Sequence, residues 1–270
     1  MTTRLTLTKH HGLGNDFLVA LDPTVLEGVD LAALARRVCD RRRGVGADGL
    51  LTAHHADGFD ARMQLNNADG SLAEMSGNGI RCFAQAIAMS RGSLATLRLL
   101  TGGGPRSVVL HATGDAARIE AEVDMGPVAP LAEPSGWAAL GCDPMRPVTH
   151  LSLGNPHSVV GVDEVGVVPL QQLGEMVPHV NLEIVEAGPE PHGVTMRVHE
   201  RGAGITEACG TGASAVAWAA AEWGLVSPLG GEVLVHMDGG DAVVRLNHPA
   251  PGSVTLIGPA EYVGTVVIDL

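Results

Sequence analysis

Lysine is almost missing from this sequence: Lys9 is the only one in 270 residues. A pyridoxal-phosphate enzyme needs a lysine to carry its cofactor as a Schiff base. Lys9 lies in KHHGLGND with no phosphate loop beside it, so pyridoxal phosphate is not expected. Aromatic residues are scarce at 3%, too few for a base-stacking surface. Positive charge is also short: 17 Lys and Arg against 30 Asp and Glu leave a formal net charge of −13. That balance argues against nucleic acid and anionic membranes as partners. The one basic cluster, Arg36, Arg37, Arg41, Arg42 and Arg43, closes a helix-like segment, where cations favour the carbonyl end. Four cysteines, Cys39, Cys82, Cys142 and Cys209, form no CxxC pair, which suits a reduced, cytosolic chain. No apolar run approaches a membrane span, and MTTRLTLTKHHG has no apolar signal-peptide core, so a soluble cytoplasmic protein is expected. The histidines His10, His11, His54, His55, His179, His192 and His199 lack carboxylate or cysteine neighbours at ligand spacing, and no metal site is expected.

What the sequence has is glycine, 36 of them, and 45% apolar residues, a globular composition rich in tight turns. Alternating, β-branched stretches predict strands at RLTLTKH, DFLVAL, GLLTAH, ARMQL, TLRLLT, SVVLHA and RIEAEVDM. They continue at HSVVGVD, VTMRVHE, GEVLVHMD, DAVVRLNH, SVTLIG and EYVGTVVIDL. LAALARRVCDRR, after the N-cap Asp30 and before Gly44, predicts a helix, as does LQQLGEMVPHV up to Pro178. Two further helices are apolar nearly all round, from about Ile80 to Gly92 and from about Ala213 to Gly224. Such helices are buried on most sides.

Those two helices open on related hexamers, EMSGNG (Glu74–Gly79) and EACGTG (Glu207–Gly212). The chain therefore reads as an α+β protein of two similar halves, each a run of strands with one buried helix. The expected bounds are 1–123 joined by a C-terminal strand at 259–270, and 124–258, with the Pro-rich GPVAPLAEPSG near the boundary. A helix N-terminus presents unpaired N–H groups and partial positive charge, and glycines before it let an anion approach. Two such cradles acting on one carboxylate would set an acid or base on each face of its α-carbon. That arrangement predicts racemisation or epimerisation of an amino acid without a cofactor. A thiol at a helix N-terminus is expected to ionise more readily than a free one.

The sequence resembles the diaminopimelate epimerase family over essentially its whole length. The matching blocks are GLGNDF (Gly12–Phe17), GVGADGLL (Gly44–Leu51), NADGSLAEMSGNGIRCFA (Asn67–Ala84), GNPH (Gly154–His157) and ERGAGITEACGTGASA (Glu200–Ala215). The resemblance implies two pseudo-symmetric domains, each a curled, mostly antiparallel sheet around a central helix, with the active site in the cleft between them. It implies a small amino-acid substrate, LL- or meso-diaminopimelate, no cofactor, and often a homodimer. Asn15, Asn67, Asn155 and Asn181 would then bind the substrate's amino and carboxyl groups, with Glu200 and Arg201 at its distal end and reacting ammonium. Gly77-Asn78 and Gly210-Thr211 would hold the α-carboxylate. Cys209 would be one catalytic thiol, with His157 and Glu200 adjusting the protonation of the two bases.

The family's other thiol falls at Ser76, since Cys82 lies inside the helix and reads as core. Serine donates a proton more easily than it removes one. The expectation is that Cys209 is the competent base while Ser76 donates or relays, by way of His157, in a slower or direction-biased enzyme. Ile205, where relatives often have Glu, carries little weight. The alternatives are another racemase, hydroxyproline-type epimerase or dehydratase of the same fold, or a variant impaired by Ser76. Asn15, Asn155, Asn181 and Glu200-Arg201 favour a substrate with a second amino-acid end.

Overall fold

The computed structural model describes residues 4–270, so the first three residues of the N-terminal stretch lie outside the described residues. The chain divides into two compact units, Met1–Val123 with Gly258–Leu270, and Asp124–Ile257. The first unit contains β1 (Arg4–Gly12), β2 (Asn15–Ala20), α1 (Leu31–Val38), β3 (Gly49–His54) and β4 (Ala61–Asn67). It continues with the short β5 (Leu72–Ala73), α2 (Gly77–Arg91), β6 (Leu97–Thr101), β7 (Gly104–Ala112) and most of β8 (Arg118–Pro127). The second holds β9 (Ala129–Pro130), β10 (Val148–Ser152), β11 (Pro156–Gly161), α3 (Leu170–Met176), β12 (Asn181–Ala187) and β13 (Gly193–Glu200). Its remaining elements are β14 (Gly204–Thr206), α4 (Gly210–Glu222), β15 (Glu232–Met237), β16 (Gly240–Leu246) and the start of β17 (Ser253–Asp269).

The same pairing sequence occurs twice. In the first unit β1–β2 is antiparallel, β2–β3 parallel, β3–β4 antiparallel, β4–β6 parallel, and β6–β7 and β7–β8 antiparallel. In the second, β10–β11 is antiparallel, β11–β12 parallel, β12–β13 antiparallel, β13–β15 parallel, and β15–β16 and β16–β17 antiparallel. β17 pairs with both β8 and β1, closing the sheet of the first unit on itself around α2. Matching registers, Phe17 opposite Gly49 and His157 opposite Asn181, make the repeat a residue-level one. Asn15 then corresponds to Asn155, Phe17 to His157, Leu51 to Glu183, and Ser76 to Cys209.

Each unit is built around its apolar helix. Every residue of α2 from Gly77 to Ala88 is buried, as are all but Trp218 from Gly210 to Ala220 in α4. Phe83 at the heart of α2 is fully buried, worth about 1.5–3 kcal/mol relative to exposure. α2 stops at Gly92, whose φ of 63° is the left-handed conformation that glycine adopts without strain.

Several elements differ from the pattern read in the sequence. Both central helices begin three residues earlier than expected, because the Gly-x-Gly segments are their first turns rather than loops before them. α1 ends at Val38 instead of running through Arg42, since the Asp40 side chain accepts from the Arg42 and Arg43 N–H groups in a competing turn. α3 ends at Met176, shortened by Pro178. SVTLIG and EYVGTVVIDL are one unbroken strand, and VTHLS and NLEIVEA, read as neither helix nor strand, are β10 and β12. NLEIVEA is buried through its first five residues, so it lacks the alternation that marks a half-exposed strand.

α3 packs so closely on β13 that a β-carbon built on Gly174 would overlap the His199 ring. Replacement of Gly174 by alanine is expected to destabilise the fold by about 1–3 kcal/mol. Thermal denaturation followed by circular dichroism checks this, and an unchanged midpoint would contradict it.

Candidate active site

Ser76 and Cys209 are the N-caps of α2 and α4, in nearly the same backbone conformation: φ −140°, ψ 122° and φ −129°, ψ 111°. The Ser76 Oγ accepts from the Gly79 N–H at 3.0 Å, and the Cys209 Sγ from the Gly212 N–H at 3.3 Å. A side chain at either third-position glycine would crowd the cap. A β-carbon on Gly79 would stand 3.2 Å from the Ser76 Oγ, and one on Gly212 would stand 3.3 Å from the Cys209 Sγ and 2.9 Å from Glu183 Oε1. The second shared glycine of EMSGNG and EACGTG thus sits where each cap side chain folds back over its own first turn.

Around α2 a chain of amides runs between a carboxylate and a guanidinium. Asn15 Nδ2 donates to Asp48 Oδ2 at 2.8 Å, Asn78 Nδ2 donates to Asn15 Oδ1 at 3.2 Å, and Arg81 Nη2 donates to Asn78 Oδ1 at 2.8 Å. A carboxylate only accepts and a guanidinium only donates, so the two ends fix which way both amides face. Arg81 is fully buried and also donates to the carbonyls of Gly77 and Pro259. Burial lowers its pKa to about 10, which still leaves it charged at neutral pH. Below Asn15, Lys9 and Arg41 bind Asp16 at 2.8 and 2.7 Å, and Arg41 also binds Asp48 at 2.7 Å. Burial works against the Asp16 carboxylate, but hydrogen bonds from Arg41 and Lys9 outweigh it and hold its pKa below the ordinary value. The lone lysine and one arginine of the basic cluster thus brace this half-site, beyond the end of α1. Asn67 stands apart from the amide chain, donating to Ser71 Oγ at 3.0 Å in the turn after β4.

Around α4 the corresponding positions carry different chemistry. Asn155 Nδ2 donates to Thr211 Oγ1 at 3.2 Å, and Thr211 Oγ1 lies 3.4 Å from Cys209 Sγ. His157 Nε2 is 3.0 Å from Asn155 Oδ1, and His157 Nδ1 is 2.6 Å from Glu183 Oε1. Asn181 Oδ1 accepts from the Arg201 N–H at 2.9 Å, and Thr206 Oγ1 donates to Glu200 Oε1 at 2.5 Å. The second unit therefore brings together Asn155, His157, Asn181, Glu200, Arg201, Cys209, Gly210 and Thr211. Glu183 and Thr206 were not legible as site residues: Glu183 sits in an apolar stretch outside the matching blocks, and only the parallel register of β11 and β12 sets it against His157.

One expectation is reversed. Burial pushes the Cys209 thiol well above its ordinary pKa, the Glu200 carboxylate pushes the same way, and bonds from Thr211 and Gly212 only partly oppose them. A helix N-terminus lowers a thiol pKa where the sulfur is open to solvent and meets few opposing charges; Cys209 is 4% exposed with the Glu200 carboxylate near it, and both favour the neutral thiol. Cys82 is fully buried core, its thiol pushed up to about 12 by burial. Among the described residues no group of three or more His, Cys, Asp or Glu side chains is placed to hold a metal ion.

This duplicated architecture is shared with solved structures of low sequence identity. A phenazine biosynthesis protein of the PhzF family from Bacillus anthracis is 15% identical with a TM-score of 0.74, covering 98% of this chain and 99% of that one. A hydroxyproline epimerase from Agrobacterium vitis is 17% identical with a TM-score of 0.71, covering 99% and 93%. At these identities the likeness shows the fold. Sequence is more specific: the chain belongs to the diaminopimelate epimerase family, whose model matches residues 7–130 and 149–263. It is 37% identical to a diaminopimelate epimerase of Desulfitobacterium hafniense over 95% of both chains. It is 33% identical to that of Halothermothrix orenii over 98% of this chain and 99% of the relative. The resemblance carried by the five motif blocks is borne out.

Cys209 is expected to alkylate slowly at neutral pH, with a rate still climbing above about pH 9. Mass spectrometry of the Cys209 peptide after timed iodoacetamide treatment measures this. A rate that levels off near neutrality would restore the thiolate.

Proposed function

We propose that this protein is an isomerase that interconverts LL- and meso-diaminopimelate by removing the α-proton and returning one to the opposite face. The observation that carries the reading is the pair of repeat-equivalent helix N-termini, one capped by a hydroxyl and the other by a thiol, in a chain of this family. The N–H groups of Gly77-Asn78 and Gly210-Thr211 hold the α-carboxylate and stabilise the charge that develops when the proton leaves. Asn15, Asn67, Asn155 and Asn181 bind amino and carboxyl groups, and Arg201 supplies a guanidinium fork to a carboxylate.

The resting thiol at Cys209 determines the order of proton transfers. Its proton passes to Glu200 as the thiolate forms, and the thiolate then takes the α-proton. The Ser76 hydroxyl gives a proton to the opposite face and recovers one from water, to which it is partly exposed, while Glu200 releases its proton to water and so closes the cycle. The reverse reaction retraces these steps, with the Cys209 thiol giving the proton and the Ser76 alkoxide taking it. A relay from Ser76 through His157 is not supported, because both ring nitrogens of His157 are engaged, by Glu183 and Asn155. The product serves as a precursor in lysine and cell-wall synthesis, in the cytoplasm, and a homodimer is the working assembly.

Ser76→Cys is expected to raise kcat on LL-diaminopimelate by about tenfold or more, since a thiol exchanges protons at neutral pH far better than a hydroxyl. Cys209→Ala is expected to lose nearly all turnover. In deuterated water the two diastereomers should exchange their α-protons at unequal rates. Equal exchange rates would sink the one-thiol scheme, and no exchange from either would sink the epimerase reading.

A further inference from the structure

The repeat offers an internal comparison that no single half-site gives. Beneath Ser76 the register positions on β2 and β3 are Phe17 and Leu51, both buried and apolar. Beneath Cys209 the same positions on β11 and β12 are His157 and Glu183, both fully buried and 2.6 Å apart. The fold evidently closes well with two hydrocarbons there. Burying an imidazole and a carboxyl instead carries a desolvation penalty that packing alone does not require.

The hydrogen-bond partners indicate where the protons sit. With the Asn155 amide donating through Nδ2 to Thr211, its Oδ1 faces His157 as an acceptor, and in that arrangement Nε2 carries a hydrogen. At 2.6 Å the contact between Nδ1 and Glu183 Oε1 must also contain a proton, because two lone pairs would repel. The pair therefore holds two protons and has no net charge. Glu183 Oε2 is buried without a hydrogen-bond partner, which disfavours a fully charged carboxylate. Burial pushes the Glu183 carboxyl up, while His157 opposes that shift. The titratable groups facing the pair are Glu200 on β13 and Cys209 at the start of α4.

We propose that Glu183 is a positioning residue for the Cys209 half-site: its carboxyl shares a proton with Nδ1 of His157, which holds Nε2–H on Asn155 and so aims the Asn155 amide at Thr211 beside the thiol. Its part in turnover rests on the epimerase reading above. A neutral pair lets Cys209 form a thiolate without a second buried anion beneath it. Loss of the shared proton would place that anion there and allow the ring to turn.

Two measurements test this. In protein labelled with nitrogen-15 histidine and without substrate, His157 should show a far-downfield proton for the bridge to Glu183, absent in Glu183→Gln. Glutamine keeps the size and one hydrogen bond but cannot share an ionisable proton. With LL-diaminopimelate, Glu183→Gln should lower kcat about tenfold or more while KM stays within about twofold, and should displace the pH profile of kcat. A wild-type spectrum lacking the bridged proton would overturn the proposal, as would a Glu183→Gln pH profile that overlays the native one. Native protein that fails to turn over LL-diaminopimelate would defeat the epimerase reading alone, because the spectrum of the free protein still decides whether the proton is shared. The double replacement Glu183→Leu with His157→Phe, which copies the other half-site, should fold with an undiminished melting midpoint. A large loss of stability in it would mean that the pair is needed for the fold, against the proposal.

Discussion

The rest of the structure depends on how two buried helices begin. A helix start leaves N–H groups without partners, and in the interior of a protein each would carry a penalty of about 1–3 kcal/mol. In α2 and α4 one such N–H is taken by the cap side chain, and a glycine at the third position leaves room beside it. The cap that makes each helix end foldable also fixes a hydroxyl or a thiol at the start of that helix.

The two halves keep the same backbone plan and differ in polarity around it. The first unit holds its amides between Asp48 and Arg81, charged at both ends and braced from below by Lys9 and Arg41. The second replaces the apolar pair Phe17 and Leu51 with His157 and Glu183, and the hydroxyl cap with a thiol. Buried hydroxyl and imidazole groups hold each other's orientation only if every partner is present. Duplicated frameworks with unlike linings suit a reaction whose two faces need unlike partners, one taking a proton and one giving it.

Much of this was legible in the chain itself. Alternating strands, two all-round apolar helices and paired Gly-x-Gly turns were enough to indicate two similar halves with a helix in each. Ser76, Cys209, Asn155 and His157 were found because they lie in dense local motifs. Glu183 was not, because its partner lies in another strand and its own stretch reads as plain apolar core. The Cys209 thiol was misjudged for a related reason: sequence shows the helix start beside it, whereas the burial that opposes its ionisation, and the Glu200 carboxylate on β13, come from the fold. The early end of α1 at Asp40 was likewise a contest between local hydrogen bonds that periodicity does not report.

β17 hands its last residues to the first unit, where Leu5 to Leu7 pair with Val266 to Ile268. Those residues follow the whole of the second unit in the chain. On the ribosome, the unit that begins the protein is consequently the one whose sheet closes last. Its strand edges at β1 and β8 stay open while the second unit is being made, a period in which unpaired edges invite wrong partners. The order of synthesis and the order of completion run in opposite directions.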